Sequence, residues 1–203
     1  AKRYADPQPA DRAPLELGYA EAMRSVWQAH PRDPDVGALF AESLADLRPW
    51  DLWTPEGQPQ PGTGELIVTL DQVIALQPAH PLANHLYIHA VEASPEPGRA
   101  DAAADRLRQL QPGLGHMVHM PSHIDVRRGR WQQAIEANAR AIEADRRYTA
   151  RSPQQQFYRL YMAHNHHMLA YAAMMNGQSR LALETMREMV ADIPADFFRA
   201  NPW

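Results

Sequence analysis

Proline spacing sets the first limit on how this chain can fold. Eighteen prolines are spread along 203 residues, and each removes a backbone donor and crowds the preceding turn of any helix that contains it. Period-2 alternation is nearly missing, whereas Leu, Ala, Met, Glu, Gln and Arg dominate, with apolar residues three or four apart, so the chain reads as all-α. Pro31, Pro34, Pro49, Pro78, Pro81, Pro95, Pro97, Pro112, Pro153 and Pro194 fall where helices should stop. The pattern between them predicts helices at roughly 15–30, 36–48, 65–77, 82–94, 99–111, 114–128, 131–147, 155–176 and 179–192. Short helix, short turn, short helix is the repeating unit.

One pair of helices has a more specific pattern. Gly129-Arg-Trp131-Gln-Gln-Ala134-Ile135, followed by Ala141, Ile142 and Asp145, resembles the second helix of a tetratricopeptide repeat (TPR). In that family a glycine closes the turn between helices A and B, an aromatic follows two residues later, and small residues on B let helix A approach closely. Gly177-Gln-Ser179 with Ala182-Leu183 repeats the pattern without the aromatic. Gly98-Arg-Ala100 with Ala103, Leu107 and Pro112 is a weaker copy, and Leu70 to Pro78 looks like the tail of another. The resemblance implies a right-handed TPR-like superhelix of antiparallel helical hairpins, one domain over residues 1–203, with units at about 35–78, 82–112, 114–147 and 155–193. Spacings of 31 and 48 between the three glycines depart from the family's repeat of about 34, so the array is irregular, with an insertion around 148–157. The stretch from Pro49 to Thr63 is too proline-rich for a helix and longer than most connections. Its Trp50 and Trp53 are expected to pin it to the surface, with a lid as the alternative. The chain opens inside helical sequence and closes on Phe-Phe-Arg-Ala-Asn-Pro-Trp, which reads as part of a longer protein.

Composition removes several chemistries. There is no cysteine, so disulfides, thiolate nucleophiles, iron-sulfur clusters and cysteine-rich zinc sites are excluded, and any metal must rest on nitrogen and oxygen. Twenty basic residues nearly balance 24 acidic ones, which leaves no field to hold nucleic acid or anionic lipid. No apolar run approaches the roughly 20 residues of a membrane helix. The expectation is a soluble chain without nucleic-acid or membrane partners, and cytoplasm and periplasm both suit a chain without thiols.

The histidines carry the functional signal. Eight of the ten fall in three short windows: His85 and His89; His116, His119 and His123; His164, His166 and His167. The turn glycines give a ruler that the histidines did not define. His85, His116 and His164 each lie 13 residues before Gly98, Gly129 and Gly177; His119 and His167 lie 10 before, His89 lies 9 before, and Glu92 and His123 lie 6 before. Such offsets trace one stripe along a helix, and the TPR resemblance implies that these A helices line the concave face. A transition metal takes imidazole nitrogens at about 2 Å, and i, i+3 or i, i+4 pairs supply two ligands on one helix. Neighbouring helix axes about 8 to 10 Å apart let adjacent stripes meet around one ion, while bridging all three needs strong curvature or two ions. The candidate ligands are therefore His85, His89, Glu92, His116, His119, His123, His164 and His167. His30 and His80, beside prolines at helix ends, read as structural or solvated, and His166 lies off the stripe.

Met117, Met120, Met162 and Met168 flank the histidines and would suit Cu(I), yet Met174, Met175, Met186 and Met189 recur at helical spacing as core filling. Asp125, Tyr87, Tyr158, Tyr161 and Tyr171 could support the ligands, although each is more often a packing or surface residue. The segments N-H-L-Y-I-H-A-V-E and G-H-M-V-H-M-P-S-H also resemble those of histidine-rich bacterial TPR-like proteins, a resemblance that implies a fold and no activity. No H-E-x-x-H motif, phosphate loop or G-x-S-x-G elbow is present. The leading expectation is a metal-binding TPR-like protein holding Cu, Zn or Fe for storage, sensing or structure. Two alternatives remain: a metalloenzyme using His85, His89 and Glu92 for redox or hydrolytic chemistry, and a scaffold that holds a peptide or protein in its groove.

Overall fold

In the computed structural model, residues 12–153, 158–193 and 195–200 are described, apart from the side chains of Phe198 and Ala200. The chain divides into two compact units, Ala1–Ala100 and Asp101–Trp203, and the division falls inside the hairpin that the sequence places at 82–112. Among the described residues there is no strand, only an isolated bridge between Trp53 and Pro59. No described helix is long and apolar enough to cross a membrane.

The first unit contains α1 (Ala13–Ala29), α2 (Pro34–Ala45), α3 (Thr63–Leu76), α4 (Pro81–Glu92) and a 3-10 turn, Pro97–Ala100. Successive helices pack on one another, and α4 also reaches α2. Their shared core holds Trp27, Phe40, Leu44, Leu66, Leu70, Val73, Ile88 and Val91. Several prolines expected to end helices start them instead. Pro34 and Pro81 occupy the first helical turn, where the absent N–H would have had no partner. The residues before them are the caps. The Asp33 carboxylate accepts from the backbone N–H groups of Asp35 and Val36 at 3.1 and 3.2 Å. His80 is buried and accepts from the Ala83 N–H through Nδ1 at 3.1 Å, with Nε2 3.0 Å from Asp35. That is the structural role expected of His80, whereas His30 is exposed beyond the end of α1.

The loop between α2 and α3 is pinned as expected. The Trp53 indole N–H donates to the Ala90 carbonyl at 2.8 Å, and the Thr63 hydroxyl donates to Leu52 O at 2.8 Å. Trp50 behaves differently. It has a left-handed φ of 63° and is 84% exposed, with its ring edge-on to His89 at 5.3 Å between centroids.

The second unit contains α5 (Asp101–Leu110), α6 (Gly115–His119), α7 (Pro121–Arg127), α8 (Trp131–Arg151), α9 (Arg159–Met175), α10 (Ser179–Asp192) and α11 (Ala195–Ala200). The helix expected at 114–128 is thus interrupted at Met120, because Pro121 has no N–H to donate to the preceding turn. Met120 keeps right-handed helical angles, so α7 continues the path of α6 and the histidine stripe survives the break. Residues 155–157, where the next helix was expected to begin, and Pro194 lie outside the described residues. α8 extends to Arg151, into the region read as an insertion.

Gly129 and Gly177 adopt φ of 70° and 73°, the left-handed conformation that a side chain disfavours, and each closes the turn into the next helix as the repeat pattern required. Gly98 does not: it belongs to the 3-10 turn. The two hairpins share a core of Ala134, Ile135, Ile142, Leu169, Ala172 and Ala173, with Val126, Leu181 and Ala182 packed against it. Met174 and Met175, expected in a core, are 59% and 47% exposed, because they fall on the outer side of α9. Arg108 grips the two oxygens of Asp125 at 2.7 Å each and ties α5 to α7.

The contact that positions the histidine-bearing turn is between α6 and α8. A Cβ on the buried Gly115 would fall inside the Asp145 carboxylate and 3.0 Å from Ala141 O. Asp145 accepts from the Tyr158 hydroxyl at 3.0 Å and from Asn165 Nδ2 at 2.7 Å, so it cannot retreat without breaking both bonds. Gly115→Ala should therefore destabilise the protein by about 1–3 kcal/mol, the usual range for overpacking. The urea midpoint measures it, and Gly113→Ala, where a Cβ meets open space, should leave the midpoint unchanged.

Candidate metal centre

His119 lies at the end of α6, His123 one turn later on α7, and His164 on α9. One ring nitrogen from each falls within 4.8 Å of the others. The His119 and His123 Nε2 atoms are 2.8 Å apart, and the His164 ring centroid is 4.7 Å from that of His119 and 5.5 Å from that of His123. His119 is fully buried, whereas His123 and His164 are half-buried.

The tautomer of His119 follows from its neighbours. Asn138 Nδ2 donates to Ala134 O at 2.8 Å, so the amide oxygen faces the histidine and accepts from His119 Nδ1–H at 2.7 Å. Ser122 Oγ lies 3.4 Å from the same nitrogen. With its proton on Nδ1, His119 presents a lone pair at Nε2, and the hydrogen in the 2.8 Å contact comes from His123. Burial holds the His119 pKa well below the usual histidine value, with the neighbouring His123 and His164 adding to the effect. The ring is therefore neutral and oriented, which is the state a metal ligand requires.

The other sequence-predicted residues are placed as follows. His116 stacks beside His119 at 5.9 Å between centroids and meets Tyr161 edge-on at 4.6 Å. Its backbone N–H donates to the Tyr158 hydroxyl at 3.4 Å, and burial together with the Asp145 carboxylate pushes that phenol up. His167 is exposed, with its ring 6.5 Å from that of His164. His166, which the stripe leaves out, is buried; its Nδ1–H donates to Met162 O at 2.9 Å and its Nε2 lies 3.6 Å from Asp192. Within the first unit, the His85 and His89 rings meet at 4.9 Å. Glu92 Oε1 accepts from His89 Nδ1–H at 2.8 Å.

Asn138 escaped the sequence reading. Its signal was available, since it is a polar residue on the stripe Ala134, Ile135, Ala141 and Ile142 that α8 buries. A polar side chain at such a position has to find a partner.

No family model matches the chain, and no curated protein matches it. Solved structures do. A structure titled "Crystal structure of MamA protein" is similar with a TM-score of 0.64 at 14% identity, over 93% of this chain and 87% of that one. The structure of MamA residues 41 to the end from Desulfovibrio magneticus RS-1 has a TM-score of 0.60 at 14% identity, over 96% and 99% of the two chains. The fold is TPR-like. At this identity the likeness establishes the TPR-like helical fold alone.

His119 gives the second unit a defined acid response. Its folded pKa lies below the value of about 6.5 expected of an unfolded chain, so the unfolded state takes up the proton first. Stability is then unaffected above about pH 6.5 and falls as pH drops below it. Asp125 and Asp145, whose carboxyls burial pushes up, act with the opposite sign nearer the carboxylate range. The urea midpoint of the metal-free protein should decline from about pH 6.5 to 5, and a flat profile across that window would contradict the assignment of His119 as a buried neutral ring.

Proposed function

We propose that the second unit binds a divalent transition metal ion through His119, His123 and His164, and that metal binding is the function of this TPR-like protein. The observation that carries the reading is the locked His119 ring, whose Nδ1 is spent on Asn138 and whose Nε2 lies 2.8 Å from His123 Nε2, in a group whose His164 nitrogen is within 4.8 Å. An ion about 2.0–2.1 Å from three tetrahedrally disposed nitrogens sets them about 3.3 Å apart. The nitrogens of this group span 2.8 Å at one contact and stay within 4.8 Å overall, so small side-chain rotations suffice. Imidazole ligands with a hydrogen-bonded second nitrogen are the usual arrangement in such centres. Zinc, copper and iron all accept imidazole, and the donor set does not separate them.

In the first unit, the Glu92 contact to His89 Nδ1 leaves Nε2 as the coordinating atom of that ring, which favours a ligand role for His89 over one for Glu92. His116 and His167 are proposed as neighbours of the His119 group. The TPR-like fold also supports a scaffold role, with the ion in a structural part and the repeat surface carrying a protein partner.

Zn(II) binding to untagged protein, followed by calorimetry, tests the reading. Stoichiometric binding should be lost or strongly weakened in His123→Ala and His164→Ala, the two half-buried ligands, and kept in His167→Ala. Retention of full affinity in both ligand variants would exclude this group as the site. Asn138→Ala should lower affinity by about 10–100-fold, as losses of outer hydrogen bonds do. Circular dichroism on the same samples separates that effect from unfolding.

A further inference from the structure

The loop between α2 and α3 departs from ordinary turn chemistry at one residue. The Asp51 N–H donates to Arg48 O at 3.2 Å, closing a turn with Pro49 and Trp50 at its centre. Proline suits the first of those positions, and a positive φ at the second favours glycine or asparagine. This chain has tryptophan there, at a φ of 63°, where a bulky side chain is an outlier. Such conformations persist only where the surroundings impose them, and they collect at ligand-binding sites. Here the turn is imposed by Asp51, whose Oδ2 accepts from Arg48 Nη1 at 2.8 Å and whose Oδ1 accepts from Gln60 Nε2 at 3.3 Å. The indole gains little packing from its position, being 84% exposed and edge-on to His89 at 5.3 Å between centroids. Neither the turn nor the core accounts for a tryptophan at position 50.

What Trp50 does border is a cavity of about 270 Å³ within the first unit. Trp50, Leu52, Trp53 and Leu86 are its large apolar lining, and Trp53 is fixed by its bond to the Ala90 carbonyl at 2.8 Å. Asp46 and Glu92 line it too, as does Arg48, whose guanidinium is held by Asp51. Indole is the side chain that best holds an organic cation, through attraction to the negative face of its π system, and quaternary ammonium groups are the usual ligands of such aromatic sites. We propose that this cavity binds a small organic cation of the quaternary-ammonium class, with Trp50 and Trp53 as the aromatic groups that receive it. Asp46 and Glu92 have partners within the fold; they favour a cation through their charge and are not its direct ligands. The cavity shares no residue with the His119, His123 and His164 group, so failure of metal binding there would leave it standing.

Choline and 3,3-dimethyl-1-butanol share a shape and differ by one atom, a charged nitrogen against a neutral carbon, so the pair isolates the contribution of charge. The intact protein is titrated with each while the indole N–H signals are followed by NMR, with sodium chloride matched to the choline salt. Choline should shift the Trp50 and Trp53 signals in a single saturable transition, with affinity about tenfold or more above that of the neutral alcohol. An equal response to both probes would make the cavity a plain apolar pocket and overturn the cation assignment, and so would the absence of a saturable response to choline. Trp50→Gly, in which glycine adopts the same φ without strain, should stay folded by circular dichroism and lose the transition. Unchanged choline affinity in that variant would remove Trp50 from the site and the assignment with it. The comparison of the two probes in the intact protein decides the matter whether or not the variant folds.

Discussion

The hydrogen bond from His119 Nδ1 to Asn138 Oδ1, at 2.7 Å, is the interaction on which the rest of the candidate centre depends. It satisfies two buried polar groups that would otherwise each cost about 1–3 kcal/mol. It also decides which nitrogen of His119 keeps a lone pair, the Nε2 that lies 2.8 Å from His123 Nε2. Asn138 can do this because its own amide is fixed by Ala134 O one turn earlier on α8. The direction of one ring is therefore set by the backbone of a neighbouring helix, a more rigid reference than any loop.

Close packing makes that reach achievable. α6 approaches α8 at Gly115, where no side chain larger than hydrogen fits against Asp145. Asp145 is in turn held by Tyr158 and Asn165, so the start of α9 is tied to the same point. One buried carboxylate thus connects the three elements that carry His119, Asn138 and His164. The Pro121 break leaves His123 within one helical turn of His119, since Met120 keeps helical angles across it. The same residue types serve structure elsewhere. His80 caps α4, and His166 is buried on α9 with its Nδ1–H on Met162 O, so histidine content alone does not mark a site.

Much of the fold was legible beforehand. Apolar spacing and proline punctuation located nearly every helix, and Gly129 and Gly177 marked two turns whose positive φ the structure reproduces. These are local properties: a residue's effect on φ, or on a helix containing it, depends mainly on its immediate neighbours. Where local reading failed, the reason was also local. Proline both ends and begins helices, so Pro34 and Pro81 could be assigned only once their caps were seen.

From the sequence alone came the all-helical class, the exclusion of thiol chemistry, and the alignment of His119 with His123 on one helical stripe, because periodicity and composition are carried by the chain itself; the TPR-like arrangement came as what the resemblance around Gly129 and Trp131 implied. Tertiary structure alone decided that His164 joins those two while His167 turns to solvent, that Glu92 meets His89 at 2.8 Å, and that Asn138 holds the His119 ring. Those outcomes depend on which side chains meet across different helices, and the distance between two helices in space is set by packing at points such as Gly115, not by their separation along the chain.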